Sequence, residues 1–354
     1  MSDSDQLPLS IVICTYNRAE LLRLAVRSVG TQTAPADVYE LVVVDNGSED
    51  HTEDVCEEIL GELPCEARRV VETSQGLSHA RNRGAREARG RFVAFIDDDA
   101  QLPEGYVERA LDTIAQKDPD ILGGPIDPFY TEPKPDWFKD EYGAYLHRER
   151  SGWMEKGHPS GSNIIIRRSL LEELKGFDTS LGMIGEDLGY GEETDFIGRA
   201  RSRGARVYYD LDLRALHHVS PRKYDITYHI LAAFRTGTQS IHYLPFTVDG
   251  QEALHRIPAL VVEAARRLRA AWEARGAAGG DLRSHVKEEV CPKLSELGKY
   301  CQAARDLETS SMRRIIRFHQ ERGTAITLKD VMVCAKLWMK SLWHGTGGER
   351  DGEG

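Results

Sequence analysis

Three aspartates in a row, Asp97, Asp98 and Asp99, end the apolar run "RFVAFIDDDA". Adjacent carboxylates repel one another, so the cluster makes sense where a cation completes it. In an extended chain alternate side chains share a face, which puts Asp97 and Asp99 on one side. Two oxygen ligands on one side suit a hard cation, Mg²⁺ or Mn²⁺, with substrate phosphates filling the rest of the shell. Capping the helix that follows would need one carboxylate, not three. A second acidic motif, Glu192 and Glu193 in "GYGEETDF", lies almost a hundred residues later, and a histidine pair, His217 and His218, stands in "LRALHHVSPRK".

These groups need a frame, and the first ninety-nine residues supply one by alternation. "LSIVIC", "YELVVVD", "CEARRVVET" and "RFVAFID" read as strands, rich in β-branched residues. Between them "RAELLRLAVRSVGTQ", "EDVCEEIL" and "LSHARNRGAREARG" read as helices, the last ending at Gly90. Such alternation implies a parallel sheet covered on both faces, with ligands beyond the carboxyl ends of its strands. Three strands run into polar clusters there: "TYNR", "DNGSED" and "DDDA". "SNIIIRR" and "ARVYYD" add short strands among Gly- and Pro-rich loops. Beyond Pro221 the pattern is helical throughout, so the organisation is a domain at 1–220, a helical region at 221–346 and a disordered tail at 347–354.

Composition narrows the function classes. The 354 residues carry 46 Lys and Arg against 57 Asp and Glu, a formal charge of −11. That balance disfavours a general nucleic-acid binder, while leaving room for a local basic pocket. No apolar run is long enough for a transmembrane helix, and "MSDSDQLPLS" lacks the features of a signal peptide. Six scattered cysteines show no zinc-ligand spacing and read as reduced thiols in a cytoplasm.

Taken together, "LSIVICTYNRAELLRLAVRSV", "YELVVVDNGSED", "GLSHARNRGAREARGRFVAFIDDDA", "GSNIIIRRSLLEELKGFDTSLG" and "GEETDFIGRARSRGARVYYDLDLRALHHVSPRK" resemble family 2 glycosyltransferases of the GT-A fold. All five blocks occur in family order over residues 8–222. The resemblance implies an α/β domain with a mostly parallel sheet, followed here by a helical extension. It also implies a metal-dependent, inverting transfer of a sugar from a nucleotide donor, first of all a UDP-sugar. The acceptor would be a saccharide, lipid-linked or small-molecule hydroxyl. Thr15, Tyr16 and Arg18 match the segment lining the nucleotide pocket, with Arg18 able to pair with phosphate. Asp45 matches the aspartate that bonds base or ribose, and Arg81 a position facing the nucleotide. In the DxD-type cluster Asp97 falls to ribose or metal, Asp99 to metal and Asp98 to a supporting place. His217 matches a histidine that can bind metal, in better register than His218. The general base comes from the Glu192–Glu193 pair; Glu193, standing where Asp is commoner, is the first choice, with Glu192 at the acceptor or supporting the loop. Gly161, Ser162 and Asn163 match an acceptor-side block, and Asp195 can cap the helix after it.

A nucleotidyltransferase would also use strand-end aspartates and Mg²⁺, but "TYNRAE" lacks the glycine-rich loop such enzymes carry. A glycosidase would leave the nucleotide pocket unexplained. A non-catalytic scaffold would have no use for Asp97, Asp99, Glu192 and Glu193. The C-terminal "LKDVMVCAKLWMKSLWHG" could rest at a membrane surface or pack as an ordinary core helix, and a homodimer stays open.

Overall fold

The computed structural model describes residues 6–185, 189, 191–240, 256–257, 259–267, 270 and 281–303. The segments "MRRIIRFHQERG" and "LKDVMVCAKLWMKSLWHG" and the tail 347–354 lie outside the described residues. The chain divides into two compact units: residues 1–133 with 139–220, and residues 134–138 with 221–354.

In the first unit, β1 (Leu9–Thr15), β2 (Tyr39–Asp45), β3 (Glu66–Val71) and β4 (Phe92–Asp97) lie parallel. They share an eight-stranded sheet with β6 (Ile121–Gly123), β8 (Gly152–Trp153), β9 (Asn163–Arg167) and β10 (Val207–Tyr209), in the order β3-β2-β1-β4-β9-β6-β10-β8. Strand β9 runs against both β4 and β6, so the sheet is mixed but mostly parallel. A second sheet joins β5 (Ala100–Gln101), β11 (Ala215–His218) and β7 (Ile126–Phe129).

Why these runs are strands is visible in their burial. Leu9, Ile11 and Ile13 of β1 face one apolar cluster while Val12 faces another; Leu41 and Val43 part from Val42 and Val44 in the same way. A strand buried on both faces has no polar side to show, hence the unbroken apolar spelling. Each such side chain contributes about 1.5–3 kcal/mol by leaving water. Helices α1 (Ala19–Gly30), α2 (Thr52–Ile59) and α4 (Tyr106–Lys117) cover the first face through residues such as Leu22, Val26, Val55, Ile59 and Val107. Helices α3 (Leu77–Glu87), α5 (Arg168–Glu173) and α6 (Glu192–Arg201) cover the second, through Ala80, Leu171, Phe196 and Ala200. Helix α3 sits close to the sheet because Gly84 has no side chain: a Cβ there would lie 2.3 Å from Val12 Cγ1.

Three sequence expectations change. Helix α3 ends at Glu87 rather than Gly90; Gly90 instead meets β1, where a Cβ would stand 2.5 Å from the Ser10 nitrogen. Asp195 does not cap α6. The helix starts at Glu192 after Gly191 in a left-handed conformation, φ 104°, and Asp195 pairs with Arg199 one turn on, at 2.8 Å. The strand alternation invoked for Asp97 and Asp99 stops at Asp97, since Asp98 and Asp99 form a turn.

The second unit packs α7 (Ile226–Ser240) and α8 (Cys291–Ala303) around Phe234, Ile257, Leu260, Leu294 and Leu297. Arg222 belongs to this unit. Among the described residues no helix is long and apolar enough to cross a membrane.

Candidate active site

The chain switches direction between β1 and β4. Strands β2 and β3 build outward on one side of β1, and β4 then pairs on the other. The crevice beyond the carboxyl ends of β1 and β4 is where an open α/β sheet binds ligands. Thr15 ends β1, Asp97 ends β4, and Asp45 lies level with Thr15 at the end of β2.

The turn after Asp97 brings β5 back, and Ala100 of β5 pairs with His217 of β11. The His218 amide donates to the Asp99 carbonyl at 2.8 Å, fixing that register. His217 Nε2 consequently lies 3.2 Å from Asp99 Oδ1 and 3.7 Å from Asp97 Oδ2. One donor atom from each of Asp97, Asp99 and His217 falls within 4.8 Å of the other two. Two carboxylates and an imidazole can hold a divalent cation. Asp97 and Asp99 thus converge through a turn and a partner strand, not through strand alternation. His218 turns away, its Nε2 2.9 Å from Thr131 Oγ1.

Asp98 is not one of the three converging groups and is 5% exposed. Arg18 Nη1 donates to Asp98 Oδ1 at 3.1 Å and to Asp99 Oδ2 at 3.0 Å. Burial pushes the Asp98 carboxyl up to about 7, with Arg18 opposing. Burial also works against ionisation of Asp97, yet His217, Arg81 and Ser162 hold it well below the usual carboxylate range. The Ser162 hydroxyl donates to Asp97 Oδ2. Of the block "GSN", Asn163 is an internal pin: it accepts from the Tyr106 hydroxyl and donates to the Pro125 and Leu213 carbonyls.

Arg81 leaves α3 and is 3% exposed. Its Nη1 donates to Glu192 Oε1 at 2.8 Å, while Nη2 reaches the Gly161 carbonyl at 3.2 Å and Asp97 Oδ1 at 3.4 Å. The guanidinium lies 5.6 Å from the centre of the Phe177 ring. Both terminal nitrogens thus donate to the protein itself. Glu192 and Glu193 open α6, with Glu192 buried and Glu193 partly exposed. Burial first, then the charge of Glu193, push the Glu192 carboxyl up to about 7 against the pull of Arg81. Among the described residues, Thr15 Oγ1, Glu192 Oε2 and Glu193 Oε2 are buried without a hydrogen-bond partner. Tyr16, next to Thr15, is partly buried.

Asp45 accepts the Ser48 amide at 2.9 Å and two bonds from Arg69, at 3.1 and 2.8 Å. Sequence reading missed its neighbour Asn46, whose Nδ2 donates to the Glu72 and Ser74 carbonyls and whose Oδ1 accepts from the Gly76 amide. Asn46 thereby ties β2 to the start of α3. Asn17 was also missed: at φ 52°, it accepts the Glu49 and Asp50 amides and clasps the loops after β1 and β2. An Asn after a strand-end aromatic, able to take a left-handed conformation, was the available signal. The loop entering α6 is tied to α3 in turn. The Leu77 amide donates to the Met183 carbonyl at 2.8 Å and Ser78 Oγ to the Leu181 carbonyl at 2.7 Å.

A family model described as "Glycosyl transferase family 2" matches residues 10–175. The chain is 28% identical over 240 residues to glucosyl-dolichyl phosphate glucuronosyltransferase of Haloferax volcanii, covering 65% of this chain and 75% of that protein. Among solved structures, mannosyltransferase PcManGT from Pyrobaculum calidifontis, in complex with GDP-Man and Mn²⁺, aligns at TM-score 0.51 and 18% identity. That alignment covers 95% of this chain and 87% of the other, and it is a likeness of fold. S. aureus TarS aligns at TM-score 0.48 and 20% identity over 89% of this chain, which spans about half, 53%, of the TarS chain.

Proposed function

We propose that the chain, whose residues 10–175 match the model of glycosyl transferase family 2 and whose fold resembles that of a GT-A enzyme, carries out a metal-dependent, inverting transfer of a sugar from a nucleoside diphosphate donor to an acceptor hydroxyl. The observation that carries this reading is the convergence of Asp97, Asp99 and His217 at the switch point of the sheet. Their donor set fits Mn²⁺ or Mg²⁺, and three protein ligands would leave the rest of a six-coordinate shell to phosphate oxygens or water. Bound there, the cation would offset the charge that grows on the departing diphosphate. Everything else falls to the chain's own groups.

Arg18, held at the rim by Asp98 and Asp99, is within their reach and can turn a donor hydrogen to a phosphate. Thr15, with its unpartnered hydroxyl, Tyr16 and Asp45 supply the nucleotide side. Glu193 is the group we assign to take the acceptor proton: it opens α6, it is the less buried of the pair, and Glu192 is already engaged with Arg81. One base and no protein nucleophile correspond to a direct displacement, which inverts the anomeric carbon. A UDP-sugar is the first donor to test. The name of the Haloferax relative supports a lipid-linked saccharide as acceptor.

Calorimetric titration with UDP, GDP, UDP-glucose, UDP-glucuronate and GDP-mannose, each with and without Mn²⁺, tests the reading. At least one should bind, and only with metal; no binding, or binding indifferent to Mn²⁺, sinks it. Glu193→Gln should retain that binding while turnover falls by about 10²–10⁴-fold. Normal turnover would put the base elsewhere.

A further inference from the structure

The Arg81 side chain is buried, yet it is charged and joins three separate stretches of chain: the end of β4 at Asp97, the loop before β9 at Gly161, and the first residue of α6 at Glu192. A buried ion pair is a poor way to stabilise a fold, because removing two charges from water offsets most of their attraction. An apolar pair of the same volume would serve α3 as well. What only a rigid, forked cation supplies is a fixed distance between two carboxylates. The surroundings are shaped for it. A Cβ on Gly161 would lie 3.0 Å from Nη2 and 3.3 Å from Nη1, so a glycine there leaves the guanidinium its place. Gly182, at φ 91°, stands against Glu192 from the other side, where a Cβ would come within 3.3 Å of its carboxyl.

The geometry points to Arg81 as a positioning residue, which locks Glu192 to the end of β4 and so presents Glu193 at a set distance from Asp97 and Asp99. Being 3% exposed, it does not reach a donor phosphate. The inference rests on the transferase reading above and adds a role that reading does not need. The α6 turn carrying Glu193 is joined to the metal-side carboxylates through one guanidinium. A displacement of α6 by about 1 Å would cost about 10²-fold in rate without touching the donor.

The test compares wild type with Arg81→Lys, Arg81→Gln, Glu192→Gln and the Arg81→Lys/Glu192→Gln double variant. Two quantities are read: the Kd of Mn²⁺–UDP and Mn²⁺–GDP, and nucleotide release at saturating UDP-glucose, UDP-glucuronate and GDP-mannose. Arg81→Lys, which keeps the charge but not the fork, should bind the nucleotide within about threefold of wild type, a change no larger than that of distant substitutions. Its turnover should fall by about 100-fold, and that of Arg81→Gln further. Because both residues act through one contact, the double variant should be no slower than the slower single variant by more than about twofold. Circular dichroism checks folding, and Arg81→Lys serves if Arg81→Gln does not fold. A nucleotide Kd that weakens in step with turnover makes Arg81 a donor ligand and overturns the proposal, as do losses that multiply in the double variant. A wild-type chain binding neither nucleotide sinks the transferase reading and this inference with it; the variant outcomes bear on this inference alone.

Discussion

Replacing Glu192 by Gln should make the protein more stable at mildly basic pH and leave it nearly unchanged in acid. Glu192 is 5% exposed, one oxygen takes the Arg81 bond at 2.8 Å, and the other is buried without a partner. Burial and the neighbouring Glu193 outweigh Arg81 and move the carboxyl from 4.5 to about 7. The folded value lies above the unfolded one, so the folded state holds the proton more tightly. The contribution is therefore present in full below the unfolded value and is lost as pH rises from 4.5 to about 7. At about 1.4 kcal/mol for each pH unit, that span is worth about 3 kcal/mol. Gln is neutral throughout and carries no such slope. Urea unfolding in EDTA, followed by far-ultraviolet circular dichroism at about pH 5 and about pH 8, reads the difference between the two proteins. Groups that titrate alike in both, Asp98 among them, cancel. The variant should gain about 3 kcal/mol relative to wild type between the two pH values. A difference that stays constant within about 1 kcal/mol would refute the claim that burial and Glu193 dominate over Arg81.

Two further outcomes test the frame and the proposed metal site. Gly84→Ala drives a methyl to 2.3 Å from Val12 Cγ1 and 3.2 Å from Val44 Cγ2. It should destabilise by about 1–3 kcal/mol in urea, and an unchanged midpoint would mean that α3 rides higher on the sheet than described. Asp99→Asn removes a carboxylate from the Asp97, Asp99 and His217 group and should weaken Mn²⁺ binding by at least about tenfold in calorimetry. Wild-type affinity in that variant would place the cation elsewhere.

Much of the frame was legible in the residues themselves. Strands buried on both faces must be spelled with apolar side chains, so "LSIVIC", "ELVVV" and "RFVAFI" announce the parallel sheet, and the polar clusters after them mark its carboxyl edge. Reading local spacing further was less safe. Asp97 and Asp99 meet, but the alternation that suggested it ends two residues too early, and it is the pairing of Ala100 with His217 that closes the group. The start of α6 was legible as an acidic cluster, yet its cap was not Asp195, because Gly191 already supplies the turn. Asn17 and Asn46 escaped notice because their partners are backbone groups far along the chain, and no short pattern records those.

The sequence alone, then, determined the sheet, the edge at which chemistry can occur and the residue types that can perform it, since burial and strand period act on neighbours in the chain. Which charged groups converge and which pair with one another was decided only by the tertiary structure. Arg81 has the same letter code whether it meets a phosphate or braces Glu192 to Asp97. The choice depends on Gly161 leaving space, on Phe177 lying beneath the guanidinium and on a helix more than a hundred residues away. Electrostatic partners are set by distance in space, and distance in space is what the linear order does not contain.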